Sequence, residues 1–301
     1  MNLLILGSEG FIGSHCVDHF QAKNHQVWGL DLFEQPSRNY SYIKVSRLSP
    51  EFEEIFQTQP FDVIINAAGS GNVSYSMTHP LSDFEANCLD TIRVLDAIRK
   101  YQTGSRYIHL SSAAVYGNPT RLPIKEEDVT VPLSAYGWHK LMSEQLCHEY
   151  AKLYQVHTAI LRPFSVYGPR LKKQLFWDLY NKIQHANGNM IELYGTGKES
   201  RDFVHVTDLV KAIDCVIAKG QMEGEVYNLA AGVETRIEEV VALYFEEFPV
   251  EIKYKFNGMV REGDPINWRA ETSRLSALGF MPETDLQAGL SDLVKWLRQL
   301  S

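Results

Sequence analysis

The sequence predicts an α/β protein: a doubly wound parallel sheet with a smaller C-terminal lobe. Three observations carry that prediction. Short apolar runs at residues 3–6, 26–30, 63–65, 107–110 and 159–161 alternate with helix-length segments, and runs this continuous suit strands covered by helices on both faces. A glycine turn, Gly7-Ser8-Glu9-Gly10-Phe11-Ile12-Gly13, follows the first run directly. After Arg162-Pro163 the pattern changes to loops punctuated by glycine and proline, with shorter strands between them.

The first elements spell a Rossmann-type β-α-β unit: an apolar run, the glycine turn, a helical stretch and a second apolar run ending in Asp31. Gly7 permits the tight turn, Gly10 lets backbone approach a pyrophosphate, and Gly13 lets the helix lie close to the strand. The N–H groups at the helix start, around Phe11 and Ile12, then face the phosphates. Asp31, at the end of the second strand, can accept both ribose hydroxyls and repels the extra phosphate of NADP, so the expected ligand is NAD.

Two long helical segments come next, residues 81–101 and 135–154. The first carries Phe84, Cys88, Ile92, Leu95 and Ile98 on one stripe and the second carries Leu141, Leu146, Tyr150 and Leu153. Either could serve a dimer interface. Beyond residue 165 the sequence predicts an amphipathic helix over 175–185, short strands, and a final helix over 291–300. The expected division is a dinucleotide-binding domain at 1–165 and a substrate-binding lobe at 166–301, with segments around 201–230 returning to the first domain and the ligands held in the cleft between.

Composition narrows the class of partner. The 301 residues carry a formal charge of −8, and no basic cluster is longer than Lys172-Lys173, which argues against nucleic acid or an anionic membrane surface and for a small molecule. Cys16, Cys88, Cys147 and Cys215 lack any C-x-x-C spacing and read as buried thiols in a reducing cytoplasm, not as metal ligands. The first apolar run is too short for a signal-peptide core and no later one reaches membrane-spanning length.

Tyr136-Gly137-Trp138-His139-Lys140 places a tyrosine and a lysine four apart on a predicted helix, hence on one face. A phenol of pKa ~10 is a poor base at neutral pH, but a neighbouring ammonium and a positively charged nicotinamide both favour the phenolate. The spacing recurs at Tyr40/Lys44 and Tyr194/Lys198, so context must choose. Only Tyr136 opens a long helix, and only it follows a strand that ends in Ser111-Ser112, where a hydroxyl can face the cleft.

In this order of motifs the chain resembles an extended short-chain dehydrogenase/reductase of the nucleotide-sugar epimerase/dehydratase family. The resemblance spans nearly the whole length: the glycine turn, Asn66-Ala67-Ala68-Gly69, Ser111-Ser112-Ala113-Ala114-Val115-Tyr116-Gly117, Tyr136-x-x-x-Lys140, Arg162-Pro163-Phe164, Tyr167-Gly168-Pro169-Arg170, Arg201-Asp202-Phe203 and Arg261-Glu262-Gly263-Asp264-Pro265. It implies that Ser112 orients the reacting sugar hydroxyl, that Tyr136 is the acid/base, and that Lys140 tunes Tyr136 and binds the nicotinamide ribose. It also implies that Ala67, Ala68, Gly69, Asn87 and Pro163 lie along the cofactor, and that Arg201 and Arg261 hold the substrate diphosphate, which suits the fork of a guanidinium.

Reactions within that family differ at the two positions after the serine. The resemblance implies an Asp-Glu pair there for 4,6-dehydration, a glutamate at the second for decarboxylation, and a cysteine at the second for 3,5-epimerisation. This chain has Ala113 and Ala114, which can neither protonate a leaving group nor act as a second base. What remains is redox-neutral C4 epimerisation of a nucleotide-diphosphate sugar with NAD. The alternative is NAD(P)H-dependent reduction of a nucleotide-linked 4-keto-6-deoxy sugar, and a catalytically silent dinucleotide sensor is disfavoured by the intact Ser112, Tyr136 and Lys140. Two departures bear on the substrate: Ser165 stands where epimerases usually carry an asparagine that reaches a phosphate, and Trp268 falls near the position that limits sugar size. The resemblance also implies a homodimer built on the two long helical segments.

Overall fold

A computed structural model describes residues 1–46, 52–186, 190–259 and 265–300. The first half alternates strand and helix: β1 (Asn2–Leu6), α1 (Phe11–Ala22), β2 (Gln26–Asp31), β3 (Ser41–Lys44), α2 (Phe52–Thr58), β4 (Val63–Asn66), α3 (Val73–Thr78), α4 (Pro80–Phe84), α5 (Asp90–Tyr101), β5 (Arg106–Leu110), α6 (Ala135–Tyr154) and β6 (His157–Pro163). The second half continues through β7 (Ser165–Tyr167), α7 (Gln174–His185), β8 (Ile191–Leu193), β9 (Ser200–His205), α8 (Val206–Lys219) and β10 (Glu223–Leu229). It ends with β11 (Glu234–Arg236), α9 (Ile237–Glu246), β12 (Tyr254–Phe256), α10 (Ser273–Ala277) and α11 (Leu286–Arg298).

Among the described residues, seven strands form one sheet in the order β10-β6-β5-β4-β1-β2-β3, and every neighbouring pair is parallel. The period-two geometry of a strand explains why its apolar runs are unbroken. Leu3 and Ile5 point into a core under α1 and α8, while Leu4 and Leu6 point into a second core under α2, α5 and α6. β1 has β2 on one side and β4 on the other, so the chain reverses direction across the sheet at that point. Parallel sheets bind ligands in the crevice outside the carboxyl ends of strands at such a reversal.

A third apolar core, with Phe176, Leu179, Tyr244 and Leu293, joins α7, α9 and α11 to β9. A smaller one packs Ala113, Val115 and Tyr116 against Phe164 and Trp268. The chain returns from this half to the main sheet through β10, whose Val226 and Leu229 pair with Ile160 and Pro163.

Three local features depart from the sequence expectation. The helical segment over 81–101 is α4, a π-helical turn at Glu85–Leu89 and α5. One extra residue in a turn leaves the apolar stripe nearly intact, so periodicity does not register it. Here Asn87 Nδ2 donates to the Asp83 carbonyl at 3.0 Å and Thr91 Oγ1 to the Asn87 carbonyl at 2.7 Å. The last helix begins at Leu286, five residues before the predicted start, because Asp285 caps it by accepting from Ala288 N–H at 2.8 Å. The edge strand β3 is half-buried and weakly apolar, so a continuous apolar run does not mark it.

Candidate active site

The glycine turn folds for steric reasons. Gly7 has φ +76°, and a Cβ on Gly13 would sit 2.0 Å from the Gly7 carbonyl oxygen, so any side chain there would push α1 off β1. α1 starts at Gly10 with no side-chain cap, which leaves its first-turn N–H groups, those of Phe11 and Ile12 included, available to an anion. Asp31 is fixed beside them: one carboxylate oxygen accepts from Glu9 N–H at 2.8 Å and the other from Leu32 N–H at 2.7 Å. Each oxygen keeps a lone pair for a ribose hydroxyl.

Sequence reasoning passed over Glu9, whose backbone N–H orients Asp31 and whose carboxylate is turned to the segment after β2. Its side chain accepts from Ser37 N–H at 2.9 Å and from the Tyr40 hydroxyl, with Arg38 at 3.6 Å. These partners hold its pKa below the ordinary glutamate value against the opposing effect of burial. Asp31→Ala is expected to shift the NAD over NADP preference toward NADP by about tenfold, because the carboxylate that repels a 2′-phosphate is gone. Binding constants for both dinucleotides check this, and an unchanged ratio would mean that another group reads the ribose.

Further along the crevice, β4 ends in Asn66, whose side-chain oxygen accepts from Ala68 N–H at 3.2 Å. Ala67, Ala68 and Gly69 follow it at the carboxyl end of the sheet. Gly69 closes on the Asn87 side chain, whose Oδ1 is buried and has no hydrogen-bond partner among the described residues. A buried acceptor left open inside a polar cleft is a place for a ligand donor. Pro163, at the carboxyl end of β6, is buried.

Ser112 leaves the end of β5 and caps the short turn Ala113–Tyr116, accepting from Ala114 N–H at 3.1 Å. Gly137 lets the start of α6 press against that turn, since a Cβ there would lie 2.8 Å from the Ala114 carbonyl oxygen. Ser134 caps α6, and buried Ser76 accepts from Tyr136 N–H at 3.0 Å. Tyr136 and Ser112 are brought together, and their hydroxyls interact. The other two Tyr-x-x-x-Lys spacings are not helical: Tyr40/Lys44 runs into β3 and Tyr194/Lys198 lies in the connection after β8.

Lys140 is anchored on β5 and lies beside Tyr136. Its ammonium donates to the Leu110 carbonyl at 2.9 Å and lies 6.0 Å from the centre of the Tyr136 ring. Burial pushes the Tyr136 phenol up to about 12, the Ser112 hydrogen bond pulls it down and Asp83 raises it further. The protein's own groups thus favour the neutral phenol before any ligand is present, with the Ser112 hydroxyl opposing burial.

Burial also pushes Lys140 down to about 8, with Asp83 opposing. Between that value and the ordinary lysine pKa the unfolded chain binds a proton that the folded chain does not, so stability rises with pH across this window and the penalty is full below it. Lys140→Met is expected to stabilise the ligand-free protein by on the order of 1–2 kcal/mol near pH 7, an advantage that mostly disappears by about pH 10. Urea titrations of both proteins at the two pH values check this, and a constant difference would contradict it.

Of the residues expected to meet the substrate, Ser165 begins β7 half-buried. Trp268 is 8% exposed, with its indole donating to the Gly117 carbonyl at 3.1 Å and packing on Phe164. The Arg201 guanidinium sits 5.6 Å from the Trp268 ring centre and donates to the Ser200 and Ile266 carbonyls. Arg261 lies outside the described residues. Among those described, no group of His, Cys, Asp and Glu could hold a metal ion, and no helix is long and apolar enough to cross a membrane.

Residues 3–230 match the profile of the NAD dependent epimerase/dehydratase family. A putative UDP-glucose 4-epimerase of Methanocaldococcus jannaschii is 30% identical over 98% of this chain and 98% of its own. MoeE5, solved in complex with UDP-glucose and NAD, superposes with a TM-score of 0.90 at 28% identity, covering 100% of both chains. The UDP-glucuronic acid 4-epimerase of Bacillus cereus, solved with UDP-glucuronic acid and NAD, superposes with a TM-score of 0.90 at 26% identity, again over 100% of both.

Proposed function

This chain belongs to the NAD-dependent epimerase/dehydratase family, whose cofactor is NAD, and within it we propose that the protein inverts C4 of a nucleotide-diphosphate sugar. The observation that carries this reading is the pairing of Ser112 and Tyr136 above a turn whose next two residues are Ala113 and Ala114. Neither alanine offers a second acid or base, which by the resemblance to the family speaks against elimination and leaves oxidation and reduction at one carbon.

The residues present fit NAD: an uncapped helix start for its pyrophosphate, an oriented Asp31 for its ribose and an open Asn87 Oδ1 further along the crevice. When bound, NAD supplies a reversible hydride acceptor. The chain's own residues handle the proton and the geometry. Ser112 holds the C4 oxygen, and Tyr136, as the phenolate, takes the proton from that oxygen and returns it after the sugar has turned its other face. Lys140, anchored on Leu110, presents its remaining N–H donors to a ribose. Arg201, with its guanidinium already oriented by Trp268, faces the substrate diphosphate.

The relatives in complex with UDP-glucose and UDP-glucuronic acid make these the first substrates to test. Denaturing fresh protein should release about one NAD per chain, and either sugar should epimerise without added cofactor. An empty protein that instead consumes NADH with a nucleotide-linked 4-keto sugar would transfer the assignment to a ketoreductase. We also propose a homodimer: Leu81, Phe84, Trp138, Met142 and Leu153 are exposed on α4 and α6, and such apolar surface suits a helix bundle between two copies. Light scattering checks the mass.

A further inference from the structure

The connection from β7 to α7, residues 168–173, runs across the crevice and is pinned on one side to α1. The His15 ring meets the Pro169 carbonyl at 2.9 Å, while Arg170 donates to Ser14 at 3.2 Å and pairs with Asp18. Two non-glycine residues of this stretch and its edge take left-handed backbone, Arg170 at φ +74° and Gln174 at φ +64°. Each such residue costs on the order of 1 kcal/mol and persists where its surroundings over-determine it.

On the other side the connection delivers Lys173 to the loop after β4. Its ammonium lies 3.0 Å from where a Cβ on Gly71 would sit, two residues beyond Gly69 and its contact with the open Asn87 Oδ1. Lys173 is solvent-exposed as a residue, yet burial at its charged end pushes its pKa below the ordinary lysine value, and no other group offsets this. Among the described residues its ammonium has no hydrogen-bond or ion-pair partner. By contrast, Arg170 in the same stretch is paired. A partly desolvated cation without a counter-charge is unfavourable until an anion reaches it.

We propose that Lys173 is an anion-recognition residue of the cleft, its ammonium pairing with a carboxylate or phosphate oxygen of a bound ligand. This rests on the reading that the crevice takes NAD and a nucleotide-diphosphate sugar, which offer two sources of that oxygen: the cofactor pyrophosphate and an acidic group of the substrate. The pinned connection then works as a strap that holds the cation over both.

The test is calorimetric binding of NAD to protein freed of its copurified dinucleotide, and of UDP-glucose and UDP-glucuronic acid to NAD-loaded protein, for the parent, Lys173→Met and Lys173→Arg, all full-length and compared at one low ionic strength. At least one ligand should bind Lys173→Met about tenfold more weakly, with Lys173→Arg close to the parent. A loss confined to NAD assigns the cofactor phosphates. A loss for UDP-glucuronic acid but not UDP-glucose assigns a sugar carboxylate, and an equal loss for both assigns the substrate diphosphate. Affinities of Lys173→Met within about twofold of the parent for every ligand the parent binds overturn the proposal. A parent that binds NAD but neither sugar overturns the proposed substrate class instead, and the NAD arm still decides the role of Lys173.

Discussion

Replacing Tyr136 by phenylalanine is expected to lower kcat by roughly 10²–10⁴-fold while NAD and nucleotide-sugar affinities stay within about threefold of the parent. The substitution keeps the ring and removes only the proton-transfer group. The surroundings of the ring do not depend on its hydroxyl: Ser76 still accepts the backbone N–H of residue 136, and Lys140 still sits on the Leu110 carbonyl. Ser112 cannot take over, because an unassisted serine hydroxyl is a far weaker acid than a phenol and Ser112 is engaged with Ala114 N–H. The pH profile separates this reading from a structural one. Burial sets Tyr136 near 12 in the protein alone, so the reactive phenolate becomes more abundant as pH rises, and the parent rate should climb with pH below that value while the residual rate of the variant should not. A variant that keeps more than about a fifth of kcat, or keeps the parent's pH dependence, would move the proton transfer to another group.

The parts of this site that could be read from the sequence are those set by neighbours in the chain. Gly7, Gly13 and Asp31 belong to one β-α-β unit, where strand, turn and helix fix one another within about thirty residues. Tyr136 and Lys140 share a helix face by spacing alone, and the strand that ends at Ser112 singles them out from the two other matching pairs. The unread parts depend on contacts between distant segments. The ammonium of Lys140 meets a carbonyl thirty residues back, which spacing cannot reveal. Glu9 reads as a filler residue between glycines until Ser37 and Tyr40 fold over it. Lys173 reads as half of a solvated basic pair until β7 and α7 carry it across the crevice to Gly71.

Breaking the Glu144–Arg162 pair should produce the largest loss of stability. Glu144 is 0% exposed and Arg162 5%, and the guanidinium donates to both carboxylate oxygens, from Nε at 2.9 Å and from Nη2 at 2.6 Å. Its Nη1 donates to the Tyr116 hydroxyl at 2.8 Å and the Glu126 carbonyl at 3.0 Å, while Ser111 donates to Glu144. Removing one partner strands the other charge away from water, so Arg162→Met or Glu144→Gln should each destabilise by about 3–5 kcal/mol in urea titrations. Removing both charges should cost much less, because a buried ion pair gives back little beyond its own desolvation.

Function should not follow stability. Glu144 lies one helical turn beyond Lys140 on α6, Ser111 precedes Ser112, and Tyr116 closes the same turn, so the pair ties both halves of the Ser112–Tyr136 couple to β6. The double variant Glu144→Leu/Arg162→Met should therefore recover most of the stability while kcat stays down by about tenfold with KM little changed. Full recovery of kcat alongside stability would mean that the pair only fills the space between α6 and β6. A deficit confined to kcat would mean that it fixes the distance across which the proton moves.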